Sequence, residues 1–255
     1  MRSAASLLAV LLGLSSLIWI SARPAGAQAY PWTLGIVESS FIWSPTSETI
    51  ATIPDCAYHL AKQSGYQARD AKPGDESPLQ HCLVQVMHEH GASANALAFT
   101  HWYHELPNGD SVFMTSLTKP QFGIVQVAGI EYPGRANNTT GYLFVNGTNP
   151  RLTNPDVIFA PKGQPWMHDA GYEAIAAADR HAMVYPALSY VSVAKREGGG
   201  QVFTFAAPIL DGCHSCAQIG VIYIAYEFGA LGSPKGAHVT AVHPCPSSDR
   251  RCSKA

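Results

Sequence analysis

The chain has 255 residues, 47% hydrophobic and 13% charged, with 16 Lys and Arg against 18 Asp and Glu for a formal charge of −2. That apolar content is enough for a packed core, and no block of cations exists to neutralise phosphates, which argues against nucleic acid as a partner. The motifs name no cofactor.

The first 29 residues read as a secretory signal peptide. Arg2 supplies the positive start, residues 7–20 form an apolar run broken only by small Gly and Ser, and Ala27-Gln28-Ala29 offers small residues for cleavage before Tyr30. The rival is an uncleaved anchor over residues 4–22, just long enough to cross a bilayer; Arg23-Pro24 followed by a cleavage site favours removal. No cysteine adjoins the cleavage site to carry a lipid. The expected product is a secreted or periplasmic chain without stable membrane insertion. Loss of Arg2 and Arg23 leaves 14 basic against 18 acidic side chains over residues 30–255, which read as a single α+β domain because no linker, repeat or low-complexity tract divides them.

Helical texture comes first. Thr46 or Ser47 caps a helix carrying Ile50, Ile53, Ala57 and Leu60 on one stripe, with Pro54 either in its first turn or kinking it. Residues 65–78 are a Gly-, Pro- and Asp-rich loop, and residues 79–90 form a second helix that stops at Gly91. Beyond Asn95, aromatic and β-branched runs predict strands at 96–106, 111–117, 123–132 and 141–145, with Pro107-Asn108-Gly109-Asp110 as a hairpin turn and Asn146-Gly147 as another tight turn. A helical insertion is expected at 165–180, then a Gly-rich turn at 198–200 and strands at 202–209, 218–228 and 237–242. Both faces of 219–228 are apolar, which marks a central strand. The order gives an α+β fold: an antiparallel sheet with an N-terminal helical hairpin and a helical insertion, stapled by disulfides.

Six cysteines outlast the leader, and an even number in an oxidising compartment first reads as disulfides. Locality favours Cys56 with Cys82, Cys213 with Cys216, and Cys245 with Cys252 among the 15 possible connectivities. Cys213-His214-Ser215-Cys216 carries three readings: a loop staple, a redox pair with Cys213 and Cys216 as thiols and His214 tuning the thiolate, or part of a metal or haem site. A thioredoxin-type pair needs the motif at the start of a helix, whose dipole lowers the first thiol's pKa; here a strand follows. Haem attachment needs His after the second Cys, and His214 lies inside the pair.

His88, His90, His101 and His104 are metal candidates by residue type, but the first pair diverges on a helix and the second on a strand. No catalytic signature is found. Ser116-Leu117-Thr118-Lys119 matches S-x-x-K without its companion motifs; Asp156, His168, Asp169 and Glu173 could form acid–base pairs, but acids at a capped helix start are the simpler reading. The polar loop around Arg135, Asn137 and Tyr142 is the best ligand candidate, since a guanidinium suits planar anions. Asn137, Asn138 and Asn146 lie in N-x-[ST] sequons.

Asp211-Gly212-Cys213-His214-Ser215-Cys216-Ala217 between apolar strands resembles a D-G-C-H-x-C-A motif of uncharacterised secreted bacterial proteins. The order of helices, strands, helical insertion and strands is similar to that of extracytoplasmic PAS-like or Cache-like modules. The second resemblance implies a small-molecule pocket on one face of the sheet, although no receptor-type membrane helix or signalling domain follows. The expectation is an exported, disulfide-stabilised domain that binds a small molecule or protein partner without evident catalysis. Thiol-disulfide oxidoreductase and metal-binding protein are the alternatives.

Overall fold

The computed structural model describes residues 37–66, 77–105, 110–135, 139–147 and 166–245. The leader, Asp156, Asn137, Asn138, Cys252 and the turn at 107–109 lie outside the described residues.

Three helices open the fold. Helix α1 (Ser47–Ser64) starts where the Thr46 hydroxyl accepts the Thr49 N–H at 3.1 Å and ends at Gly65, whose left-handed backbone (φ 67°) closes the last turn. Pro54 sits inside this helix, beyond its first turn, and so removes the bond that would reach the Ile50 carbonyl. Helix α2 (Pro78–Glu89) is capped by Ser77 and packs against α1 through the Cys56–Cys82 disulfide, forming the expected hairpin. Cys82, Leu83, Met87 and Ile53 are fully buried in a cluster that includes Trp43 and Phe113.

Helix α3 (Ala94–His104) stands where sequence periodicity predicts a strand over 96–106. Its buried residues Ala96, Phe99, Thr100 and Tyr103 share one face with Trp102 at its margin, but the exposed side carries Ala94 and Ala98 and no charged residue, so no polar face betrays the helical period. The Ser93 hydroxyl, accepting the Ala96 N–H at 3.1 Å, starts it.

The strands divide between two antiparallel sheets. In the first, β1 (Phe113–Leu117), β2 (Gln126–Glu131) and β3 (Thr140–Val145) run in that order, and Ile42 adds a parallel bridge to Met114. Helix α4 (Ala170–Ala178) follows, and the second sheet has β6 (Gln201–Asp211), β7 (Gln218–Phe228) and β8 (Pro234–Pro244) side by side. Two further strands, β4 (Ala182–Val184) and β5 (Ser189–Lys195), share the outer edge of β6. Strand β7 is central, as its two apolar faces predict.

One face of the second sheet carries Phe203, Phe205, Ala207 and Ile209 from β6 and Ile222, Ile224, Tyr226 and Phe228 from β7, all buried. Phe144 of the first sheet packs on this face, its ring 4.8 Å from Phe228 and 5.3 Å from Tyr226. Gln201, 1% exposed, joins the sheets: its Oε1 accepts the Val125 N–H at 2.9 Å and its Nε2 donates to the Gln121 and Val125 carbonyls at 2.6 and 2.9 Å. Gly200 precedes it at φ 102°, and a Cβ there would overlap the Phe228 carbonyl, so only glycine makes this turn. No helix of the described residues is long and apolar enough to cross a membrane.

Candidate functional site

The chemistry-bearing residues gather at one end of the second sheet. Helix α4 is fixed there by three contacts. Asp169 caps its start by accepting the Gly171 and Tyr172 N–H groups, Tyr172 donates its hydroxyl to the Ala182 carbonyl of β4 at 3.1 Å, and Ile175 drops onto Gly220 of β7. Burial pushes the Tyr172 phenol above its ordinary pKa, so the hydroxyl keeps the proton it donates. Asp169 and Glu173 thus serve the helix start, as their positions predict.

Beside α4 lies a groove of about 490 Å³. Among the described residues it is lined by Gly171, Ala174, Ile175, Ala178 and Asp179 on the helix side and by Ile219, Pro244 and Cys245 on the sheet side. The Cys245 N–H donates to the Ile219 carbonyl at 2.8 Å, holding that wall. Small side chains on α4 leave the space, and Asp179 is the one ionisable group among its described lining residues.

Next to the groove, the register Ala182↔Asp211 brings β4 and the end of β6 together. His181 consequently stands between two carboxylates, with Nδ1 3.9 Å from Asp179 Oδ1 and 3.7 Å from Asp211 Oδ1. The Asp179 carboxylate also accepts the His181 backbone N–H at 2.9 Å. Gly212, at φ 77°, presses on His181, and a Cβ there would lie 3.2 Å from the histidine Cβ.

Residues 212–217 then form the β6–β7 turn with the Cys213–Cys216 disulfide closed across it. His214, Ser215 and Cys216 are exposed, and the His214 ring lies 6.4 Å from that of Tyr185. Strand β7 begins at Gln218, so no helix N-terminus faces either sulfur. Cys245 is disulfide-bonded as well, and no described cysteine is free.

The other candidates are dispersed. Arg135 donates to Asp110 Oδ2 from Nε at 3.1 Å and from Nη2 at 3.0 Å, and its guanidinium lies 3.6 Å from the Tyr132 ring centre. Its charge is therefore already matched by a carboxylate. Tyr142 instead packs half-buried against the core, 5.4 Å from the Phe205 ring. His88 and His90 sit at the end of α2, and the correction to α3 puts His101 and His104 on a helix rather than on opposite faces of a strand. Among the described residues none of these four histidines joins a group of three metal-ligating side chains; Asp179, His181 and Asp211 do. The Nδ1 of His104 is buried without a hydrogen-bond partner. Ser116 lies on β1 with no base beside it in any described hydrogen bond, which leaves S-x-x-K without a catalytic context. The Asn146 amide is occupied, donating to the Val37 carbonyl at 3.2 Å and to Gln126 Oε1 at 2.7 Å, so the sequon nitrogen is engaged in the fold.

No known protein family, curated protein or solved structure matches the chain. The functional reading rests on the site itself.

Proposed function

We propose that the chain is an exported, disulfide-stabilised domain whose groove between α4 and the β7–β8 edge binds a small molecule. The observation that carries this reading is the groove of about 490 Å³, apolar on both walls with the Asp179 carboxylate at one end. Its size falls within the range of small-molecule sites, about 300–1,000 Å³, and such sites pair an apolar lining with few polar groups. A carboxylate there selects a ligand with an apolar body and a cationic or hydrogen-bond-donating end. Export is supported by the leader and by disulfides, which persist in oxidising compartments.

The likeness in element order to PAS-like or Cache-like modules points the same way, since those fold types imply a pocket on a sheet face. Tryptamine, which has an apolar ring and an ammonium, is a suitable probe. Calorimetric titration of the mature chain is expected to show saturable tryptamine binding that Ala174→Trp abolishes by filling the groove. Equal binding by the variant, or tighter binding of indole-3-acetate than of the amine, would count against the reading.

The Cys213–Cys216 pair, with Cys216 exposed and Cys213 half-buried, supports a second reading, thiol-disulfide exchange. When reduced, the Cys213 thiolate would attack a partner disulfide, expelling one partner thiolate; Cys216 would then attack the mixed disulfide, leaving the partner reduced and the pair oxidised. A redox pair titrates in glutathione buffers near about −200 mV, whereas a structural bridge resists reduction to below about −300 mV. The absence of an activating helix at this turn favours the bridge.

A further inference from the structure

We propose that Asp179, His181 and Asp211 bind a divalent transition-metal ion. Asp179, the C-cap of α4, and His181 share the turn before β4, and the fold brings Asp211, the last residue of β6, beside them. One donor atom of each lies within 4.8 Å of the others.

The separations are informative. At 3.7 and 3.9 Å the imidazole Nδ1 stands within ion-pair reach of both Asp oxygens but beyond hydrogen-bond distance of either. Four donors at the usual zinc distances of about 2.0–2.2 Å stand about 3.4 Å apart along the edges of a tetrahedron. Small side-chain rotations close the difference. With 59% of the His181 side chain and 46% of the Asp211 side chain exposed, an ion and its remaining water ligands have access.

The surroundings hold the donors in place. The His181 backbone N–H donates to Asp179 Oδ1 at 2.9 Å, an orienting contact of the kind that supports metal ligands from outside the coordination sphere. Gly212 leaves room for His181 against the turn that the Cys213–Cys216 disulfide closes. Two carboxylates and a neutral imidazole suit a dication. The imidazole favours zinc, copper, nickel or cobalt over magnesium and calcium, which take oxygen ligands almost exclusively. Three protein donors leave at least one position for water or a ligand atom. The site shares Asp179 with the groove but does not depend on the groove binding anything, because Ala174→Trp fills the groove without removing a donor.

The test is titration of the tag-free mature chain with zinc chloride, read by calorimetry, with cobalt(II) absorption as a report on geometry. One equivalent is expected to bind the natural chain and Ala174→Trp alike, and His181→Ala and Asp211→Asn should each weaken binding at least tenfold and remove the cobalt d–d bands. Since a variant could lose its fold, the imidazole ¹⁵N resonances of the natural chain provide a second readout: those of His181 should move on zinc addition while those of His88, His90, His101 and His104 stay. An unmoved His181 at about 1 mM zinc, binding weaker than about −4 kcal/mol, overturns the proposal. So does equal zinc affinity in both folded variants.

Discussion

Gly220 of β7 lies directly beneath Ile175 of α4, so close that a Cβ on Gly220 would come within 2.8 Å of the Ile175 Cδ1. The same Cβ would meet the Ile209 Cδ1 at 3.0 Å and the His243 carbonyl at 3.1 Å. The missing side chain is what lets α4 sit down on the sheet and leaves the groove at its flank. Gly220→Ala is expected to destabilise the fold by about 1–3 kcal/mol through overpacking. Urea denaturation measures the loss, and tryptamine affinity should fall with it because Ile175 lines the groove.

The two described disulfides should differ in what they contribute. Cys56 and Cys82 are 26 residues apart, and closing such a loop in the unfolded chain is worth about 3.5 kcal/mol in the loop-entropy account. Cys213 and Cys216 are only 3 apart, for which the same account gives about 1.5–2 kcal/mol. Paired Ser substitutions followed by denaturant unfolding should reproduce that order. The difference should widen because Cys82 is also fully buried and Cys216 is exposed.

Gln201→Leu should cost about 2–4 kcal/mol, because it leaves the buried Val125 N–H without its acceptor and the Val125 and Gln121 carbonyls without their donor. Gln201→Glu retains the acceptor for Val125 and loses the amide donor. Thermal unfolding should rank natural chain, Gln201→Glu and Gln201→Leu by their melting temperatures, with both variants below the natural chain.

Glu227 is held below the ordinary carboxylate pKa first by the hydrogen bond from Arg196, whose Nε lies 2.6 Å from Oε2; burial opposes this, and the charges of Arg196 and then His238 add smaller lowering effects. A carboxyl with a lowered folded pKa adds stability above its unfolded value, and that stability is lost as pH falls through the folded value. Arg196→Met should return the Glu227 pKa toward 4.5 and flatten this part of the acid limb. Glu131, raised by burial, acts in the opposite sense: its contribution is present below the unfolded pKa and lost as pH rises through the folded one. Side-chain carboxyl NMR across the acid range reads both.

The fold was legible where residues announce their own local structure. Thr46 caps its helix from one position upstream, and the alternating apolar residues of 219–228 mark a strand buried on both sides. Helix α3 escapes such reading because Phe99, Trp102 and Tyr103 are types favoured in strands and its exposed side carries alanines instead of charges, leaving Ser93 as its clearest signal. Strands β4 and β5 are short or half-exposed, with Ser189 and Ser192 weakening their pattern. The Cys213–Cys216 turn was readable because its partners are local. The cluster of Asp179, His181 and Asp211 was not, since only the register Ala182↔Asp211 brings Asp211 to the turn that holds the other two. The groove is equally silent in sequence: it is the space left between small residues of α4 and the edge of β7 and β8.

The most direct test of the groove reading is a two-dimensional amide NMR titration of the mature chain with tryptamine. Saturable shifts confined to Ala174, Ile175, Ala178, Ile219 and Cys245 are predicted, because these residues wall the groove. Shifts centred instead on His81, Val84 and Gln85, which line a separate depression of about 460 Å³ on α2, or no saturable shift at all, would contradict the account.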